Sequence, residues 1–211
     1  MPRRKSPNAI TADILAKMLA TCTGDDLRAI GDRTILMVAF ASGGRRRSEI
    51  ASLRVEQLLE QPPVAVADGP PLPSLGIHFG RTKTSAAEQE ALVYLTGRPV
   101  EALKHWLEAS KIDKGSVFRK IDRWGNLSAR ALEPSAINAI VKQRARMIGL
   151  DPRAFSVHDL RAGPQWIDFP SVGFSHFSGC TLIAVKACSS HLEINVKYIL
   201  YCCHSGAKPD S

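Results

Sequence analysis

No apolar run in the 211-residue chain approaches the ~20 residues needed to cross a bilayer, so a membrane-spanning helix is not expected. The basic start, Met1-Pro2-Arg3-Arg4-Lys5, has no apolar stretch behind it and does not read as a secretory signal. Cysteine is scarce and badly spaced for either of its structural uses. Five residues, an odd number, argue against a disulfide framework, and Cys202-Cys203-His204 are adjacent rather than set out as metal-ligand pairs. A metal site is therefore not expected, and a cytoplasmic location is. There is no internal repeat and no low-complexity tract. Arginine is absent beyond Arg161, although seventeen occur up to that point.

What is present is positive charge, and it is unevenly placed. The net charge of +8 favours an anionic partner, either nucleic acid or an acidic protein surface. Residues 1–163 hold 25 Lys+Arg against 17 Asp+Glu, whereas residues 164–211 hold 3 of each. Those last 48 residues also contain four of the five cysteines and three of the seven phenylalanines, Phe169, Phe174 and Phe177. A small second domain could differ in this way, but 48 residues is little for independent folding. The expectation is one domain over 1–163 and a divergent, frameshifted or otherwise foreign tail over 164–211.

Periodicity over the first part predicts a mainly helical α+β domain. Apolar spacing over Thr11–Thr21, with Thr11 as N-cap, reads as a helix. Asp25–Phe40 reads as another, ending in the buried run Ile35–Phe40. A Ser42-Gly43-Gly44 break precedes a short helix from Arg46 to Leu53. Pro62, Pro63, Pro70, Pro71 and Pro73 predict a loop over 61–73. Two strands are expected at Leu75–Gly80 and Ala91–Leu95, joined by a polar connection that carries Lys83. Helices follow at Pro99–Ser110 and Ser135–Ile148, the latter stopped by Gly149, and His158–Arg161 reads as the opening of a further one.

Two basic clusters, Gly44-Arg45-Arg46-Arg47-Ser48-Glu49 and His158-Asp159-Leu160-Arg161, flank Lys83. A phosphodiester under attack gathers negative charge on its non-bridging oxygens. Guanidinium forks meet that charge with paired hydrogen bonds and never deprotonate. A lysine can protonate a leaving 5′-oxygen, and a histidine can exchange a proton with the attacking group. Arg46, Lys83, His158 and Arg161 form such a set without a metal or cofactor, and Glu49, three residues beyond Arg46, could orient it. Taken singly, each has a plainer reading: a solvated basic face, an exposed lysine, a histidine near a helix start, two side chains that share a helix face by chance.

Their order is more specific. The chain resembles the catalytic domain of the tyrosine recombinases, the phage-integrase family, over roughly residues 8–163. The family's first box, an apolar helix and then Thr-Gly-x-Arg-x-x-Glu, is similar to Ala41-Ser42-Gly43-Gly44-Arg45-Arg46-Arg47-Ser48-Glu49-Ile50, with Gly43 in place of the usual Thr. Its hairpin lysine is similar to Lys83 in Arg81-Thr82-Lys83-Thr84, before Ala91-Leu92-Val93-Tyr94-Leu95. Its His-x-Leu-Arg box is similar to His158-Asp159-Leu160-Arg161. The resemblance implies a small antiparallel sheet in a helical domain, duplex DNA as partner, and oligomers on DNA. It implies strand cleavage through a 3′-phosphotyrosine, with rejoining by the reverse attack and no ATP or metal. Arg46, Lys83, His158 and Arg161 would be catalytic, with Glu49 supporting, and Arg45, Arg47 and Arg81 would contact DNA.

The tail departs from the family. Pro164 stands three residues after Arg161, where it would interrupt the expected helix. Ser189-Ser190-His191 lacks the family's glycine, and His191 lies farther from Arg161 than the family spacing. From His191 the step to the nucleophile lands on Leu200, between Tyr198 and Tyr201. Those two tyrosines are the candidate nucleophiles. Little sequence precedes residue 8, so the family's N-terminal core-binding domain is expected to be absent. The expected function is site-specific DNA integration or recombination. The alternatives are a non-catalytic DNA-binding remnant, a type IB topoisomerase-like activity, and a module for acidic protein surfaces.

Overall fold

The computed structural model describes residues 9–43, 45–65, 70–79, 91–161, 181–185 and 200–201. Helix α1 (Ala12–Ala20) starts where Thr11 Oγ1 accepts the Ile14 N–H at 3.3 Å. Helix α2 (Leu27–Ala41) starts where Asp26 accepts the Ala29 N–H at 3.2 Å. Both caps satisfy a donor that the first turn leaves without a backbone partner. From Ala29 onward α2 is buried on nearly every side, and it forms the axis of the core.

The short helix α3 (Arg47–Ala51) follows, then a 3-10 turn at Val55–Gln57. Strands β1 (Leu58–Val64), β2 (Leu72–Phe79) and β3 (Ala91–Gly97) form an antiparallel meander. Strands β6 (Thr181–Val185) and β7 (Leu200–Tyr201) extend it, giving the order β1-β2-β3-β6-β7. Between β3 and β6 come α4 (Arg98–Ser110), the hairpin β4 (Arg119–Ile121) and β5 (Leu127–Ala131), α5 (Pro134–Met147), and a 3-10 turn at Val157–Arg161. Helix α4 packs against α2 and also against β2 and β3, so it couples the helical core to the sheet. Trp106 on α4 is buried, donates its indole N–H to Val117 O at 2.8 Å and stacks on Phe118.

Two expectations are corrected. The proline-rich stretch 61–73 is not wholly a loop, because β1 and β2 enter it from both sides. Pro62 and Pro63 lack N–H donors, but β1 is an edge strand and the ladder shifts register between Gln61 and Val64. The missing donors therefore cost few ladder bonds. Residues 158–161 lie in a 3-10 turn rather than the first turn of an α-helix. No helix among the described residues is long and apolar enough to cross a membrane.

Candidate DNA-processing site

The first basic cluster hangs from the end of α2. Ser42 closes that helix, donating its N–H to Val38 O at 3.0 Å, and Gly43 then turns the chain at φ +74°. A Cβ at Gly43 would meet nothing within 4 Å, so it is backbone conformation and not space that suits glycine here. A threonine held in this backbone conformation would be strained.

Arg46 is the N-cap of α3 and is exposed. A guanidinium has no acceptor, so only one half of a capping box can form. The Glu49 carboxylate accepts the Arg46 backbone N–H at 2.9 Å. Glu49 thus holds Arg46 through its main chain. Behind them Ile50, Ala51 and Leu53 are buried, and Leu53 O accepts the Val117 N–H at 2.9 Å. The arginine box is carried on a turn clamped from behind by the core.

Arg45 ties that box to the sheet. Its guanidinium lies 5.0 Å above the ring of Phe79, the last residue of β2. Phe79 pairs with Ala91, and these two positions bracket the connection that carries Arg81 and Lys83. Arg81 and Lys83 themselves lie outside the described residues. Gln57 adds a second tie, donating its side-chain amide to His78 O at 2.7 Å. Arg47 is exposed on α3.

The second cluster is fixed just as firmly. Asp159 is 3% exposed, and its Oδ2 accepts the Ser156 N–H at 2.6 Å and the Ser156 hydroxyl at 2.9 Å. Its backbone carbonyl accepts the Ile10 N–H at 3.0 Å, and Asn138 on α5 accepts the Val157 N–H at 3.2 Å. Leu160 and Val157 are buried in the core. With three residues per turn, positions 158 and 161 share one side of this 3-10 turn. The turn packs against α2 and α5, and α3 packs against the same two helices. Both basic clusters are therefore mounted on one pair of helices.

Sequence reasoning did not anticipate the groups that support the two clusters. Ser156-x-x-Asp159 has the spacing of a capping box and could have been read as one. Nothing local points to Asn138, nineteen residues away from Val157, or to the pairing of Arg45 with Phe79. In the tail, Tyr201 occupies β7, where position 201 pairs with Thr181. His191 and Tyr198 lie outside the described residues.

Comparison with known proteins bears on the fold and the family. An integrase/recombinase xerD homolog of Selenomonas ruminantium is 29% identical over 164 residues, covering 76% of this chain and 45% of that protein. A crystal structure of the XerH site-specific recombinase bound to difH substrate, a pre-cleavage complex, aligns with a TM-score of 0.53 at 18% identity over 74% of this chain and 41% of that one. The post-cleavage complex of XerH on palindromic difH substrate gives a TM-score of 0.52 at 18% identity over 74% and 40%. The chain thus spans less than half the length of the relatives it matches, and it has the tyrosine-recombinase catalytic-domain fold. The model of the phage integrase family matches residues 8–164, from before α1 to just past the second basic cluster, and the chain belongs to that family.

Proposed function

We propose that this chain acts on duplex DNA in site-specific recombination or integration, cleaving and rejoining a strand through a 3′-phosphotyrosine. The observation that carries the reading is the family match over 8–164, which includes both basic clusters, Lys83 and the paired strands between them. Arg46 and Arg161 hold the non-bridging oxygens of the scissile phosphate and stabilise the charge that builds there. Tyr201 or Tyr198 attacks phosphorus through its phenolic oxygen, forming the tyrosyl ester and breaking the bond to the 5′-oxygen. Lys83 supplies the proton to that leaving oxygen, and His158 manages the proton of the attacking group. His191 would assist from the tail. Glu49 acts at one remove, by fixing the main chain of Arg46. Arg45, Arg47 and Arg81 contribute DNA contacts, and the active species is an oligomer on DNA in the cytoplasm.

A second reading has its own support. The family match ends at 164, and position 201 lies on a strand at the far edge of the sheet, not on a helix after the second box. A chain without a competent nucleophile would keep the phosphate grip as a non-catalytic DNA-binding remnant, with residues 164–211 a foreign tail.

One experiment separates the two. The protein is mixed with a pool of nicked duplexes of random sequence, and SDS-stable protein–DNA adducts are counted. The first reading expects an adduct that disappears in Tyr198→Phe/Tyr201→Phe and falls about 10²- to 10³-fold in Arg46→Ala. Salt-sensitive binding weakened by Arg46→Ala, with no adduct from the unaltered chain, would establish the second.

A further inference from the structure

We infer that the β4–β5 hairpin is a separate docking surface for the backbone of duplex DNA, distinct from the phosphodiester site and resting on the reading that the chain acts on DNA. The hairpin has an inner and an outer side. Ile121 pairs with Leu127, and both pack against the core together with Leu132. Lys120 and Arg130, by contrast, are exposed. At the tip stand Arg123, also exposed, and Trp124, which is 74% exposed. The Arg123 guanidinium lies 4.5 Å over the Trp124 ring.

The tip is rigidly built. Asp122 Oδ1 accepts the Trp124 and Asn126 N–H groups at 2.8 and 2.9 Å, and Asp122 Oδ2 accepts the Asn126 side-chain amide at 3.1 Å. These bonds hold the Asp122 carboxyl below its ordinary value of 3.8, the bonds from Asn126 contributing most. Arg28 on α2 donates to Asp122 O at 2.7 Å, anchoring the turn to the core. Gly125 sits at φ +88°, as so tight a turn requires.

Residues 119–131 carry four cations and one carboxylate, and that carboxylate is committed to the turn. A large indole held in water on a preorganised tip contributes nothing to the core. Flanked by cations, it matches a polyanion whose sugars offer apolar faces between phosphates. Lys120, Arg123 and Arg130 would meet phosphates while the indole packs on deoxyribose.

The test uses the full chain with Trp166→Phe, so that emission reports Trp124 against the buried Trp106. The probe is a random-sequence duplex of about 40 base pairs. The proposal expects bound duplex to shield Trp124 from acrylamide and Trp124→Ala to weaken binding about 5- to 10-fold. It expects Lys120→Gln/Arg123→Gln/Arg130→Gln to lower the slope of log affinity against log salt by about 2 to 3. Binding that Arg46→Ala weakens but the hairpin variants leave intact overturns the hairpin assignment and keeps the DNA reading. No binding by the unaltered chain overturns both. Shielding of Trp124 that rises with protein concentration in the absence of DNA assigns the surface to a second copy of the chain and overturns the proposal.

Discussion

At the scale of single residues, one buried ion pair involves none of the candidate site residues. Arg144 on α5 and Asp32 on α2 are each 6% exposed, and they meet through Nη2–Oδ2 at 2.7 Å and Nε–Oδ2 at 3.2 Å. Arg144 Nη1 also donates to Thr21 O at 2.7 Å, so one guanidinium pins the end of α1 to both helices. Burial pushes the Asp32 carboxyl above its ordinary range, and the Arg144 guanidinium pulls it back. Removing one partner of such a pair leaves a buried charge uncompensated. Asp32→Asn is expected to cost about 3–5 kcal/mol in urea unfolding at pH 7, and Asp32→Leu/Arg144→Met markedly less. A single-variant loss under about 1 kcal/mol would show that solvent reaches Arg144 and that the pair does not brace the two helices. The residues are 112 apart in sequence, and nothing around either one announces the other. By contrast Arg46, His158 and Arg161 are candidates that the sequence itself names, because a motif records chemistry in spacing.

Elements follow the same division between local and distant causes. Helices α1, α4 and α5 were visible from caps, prolines and apolar spacing, since each of those signals acts within a turn or two. Strand β1 was hidden by Pro62 and Pro63, because its pairing becomes tolerable only once it is known to be an edge. Strand β4 has three residues, too few for alternation to register. Packing between elements is hidden in the same way. Gly31 looks like a weak point in α2, where alanine would gain about 1 kcal/mol of helix propensity. A Cβ there, however, would lie 3.1 Å from Trp106 Cζ3. That ring cannot retreat, being held by its bond to Val117 O and its stack on Phe118. Overpacking of this kind costs about 1–3 kcal/mol, so Gly31→Ala is expected to lower stability by about 1 kcal/mol net. Thermal unfolding decides it, and a raised Tm would mean that α2 and α4 part readily and that the close approach is not what couples core to sheet.

For the whole molecule, the distribution of charge and the distribution of family resemblance coincide. The excess of +8 lies entirely within residues 1–163, and the family match ends at 164. Strands β6 and β7 nevertheless extend the sheet from β3, so residues beyond 164 meet the domain through backbone pairing. A segment can add strands through main-chain hydrogen bonds, which any sequence supplies, while adding nothing to the grip on DNA. The two roles are separable by salt. If the arginine boxes and the hairpin hold the phosphates, replacing Lys186, Lys197 and Lys208 by Gln removes every lysine after Arg161 without touching that grip. The slope of log affinity against log salt should then change by less than about 0.5, whereas releasing a single phosphate lowers it by about 0.9. A drop of about 2 or more would place the tail lysines on DNA. It would remove the case for a foreign tail, since a segment acquired by accident has no reason to track the backbone of the duplex.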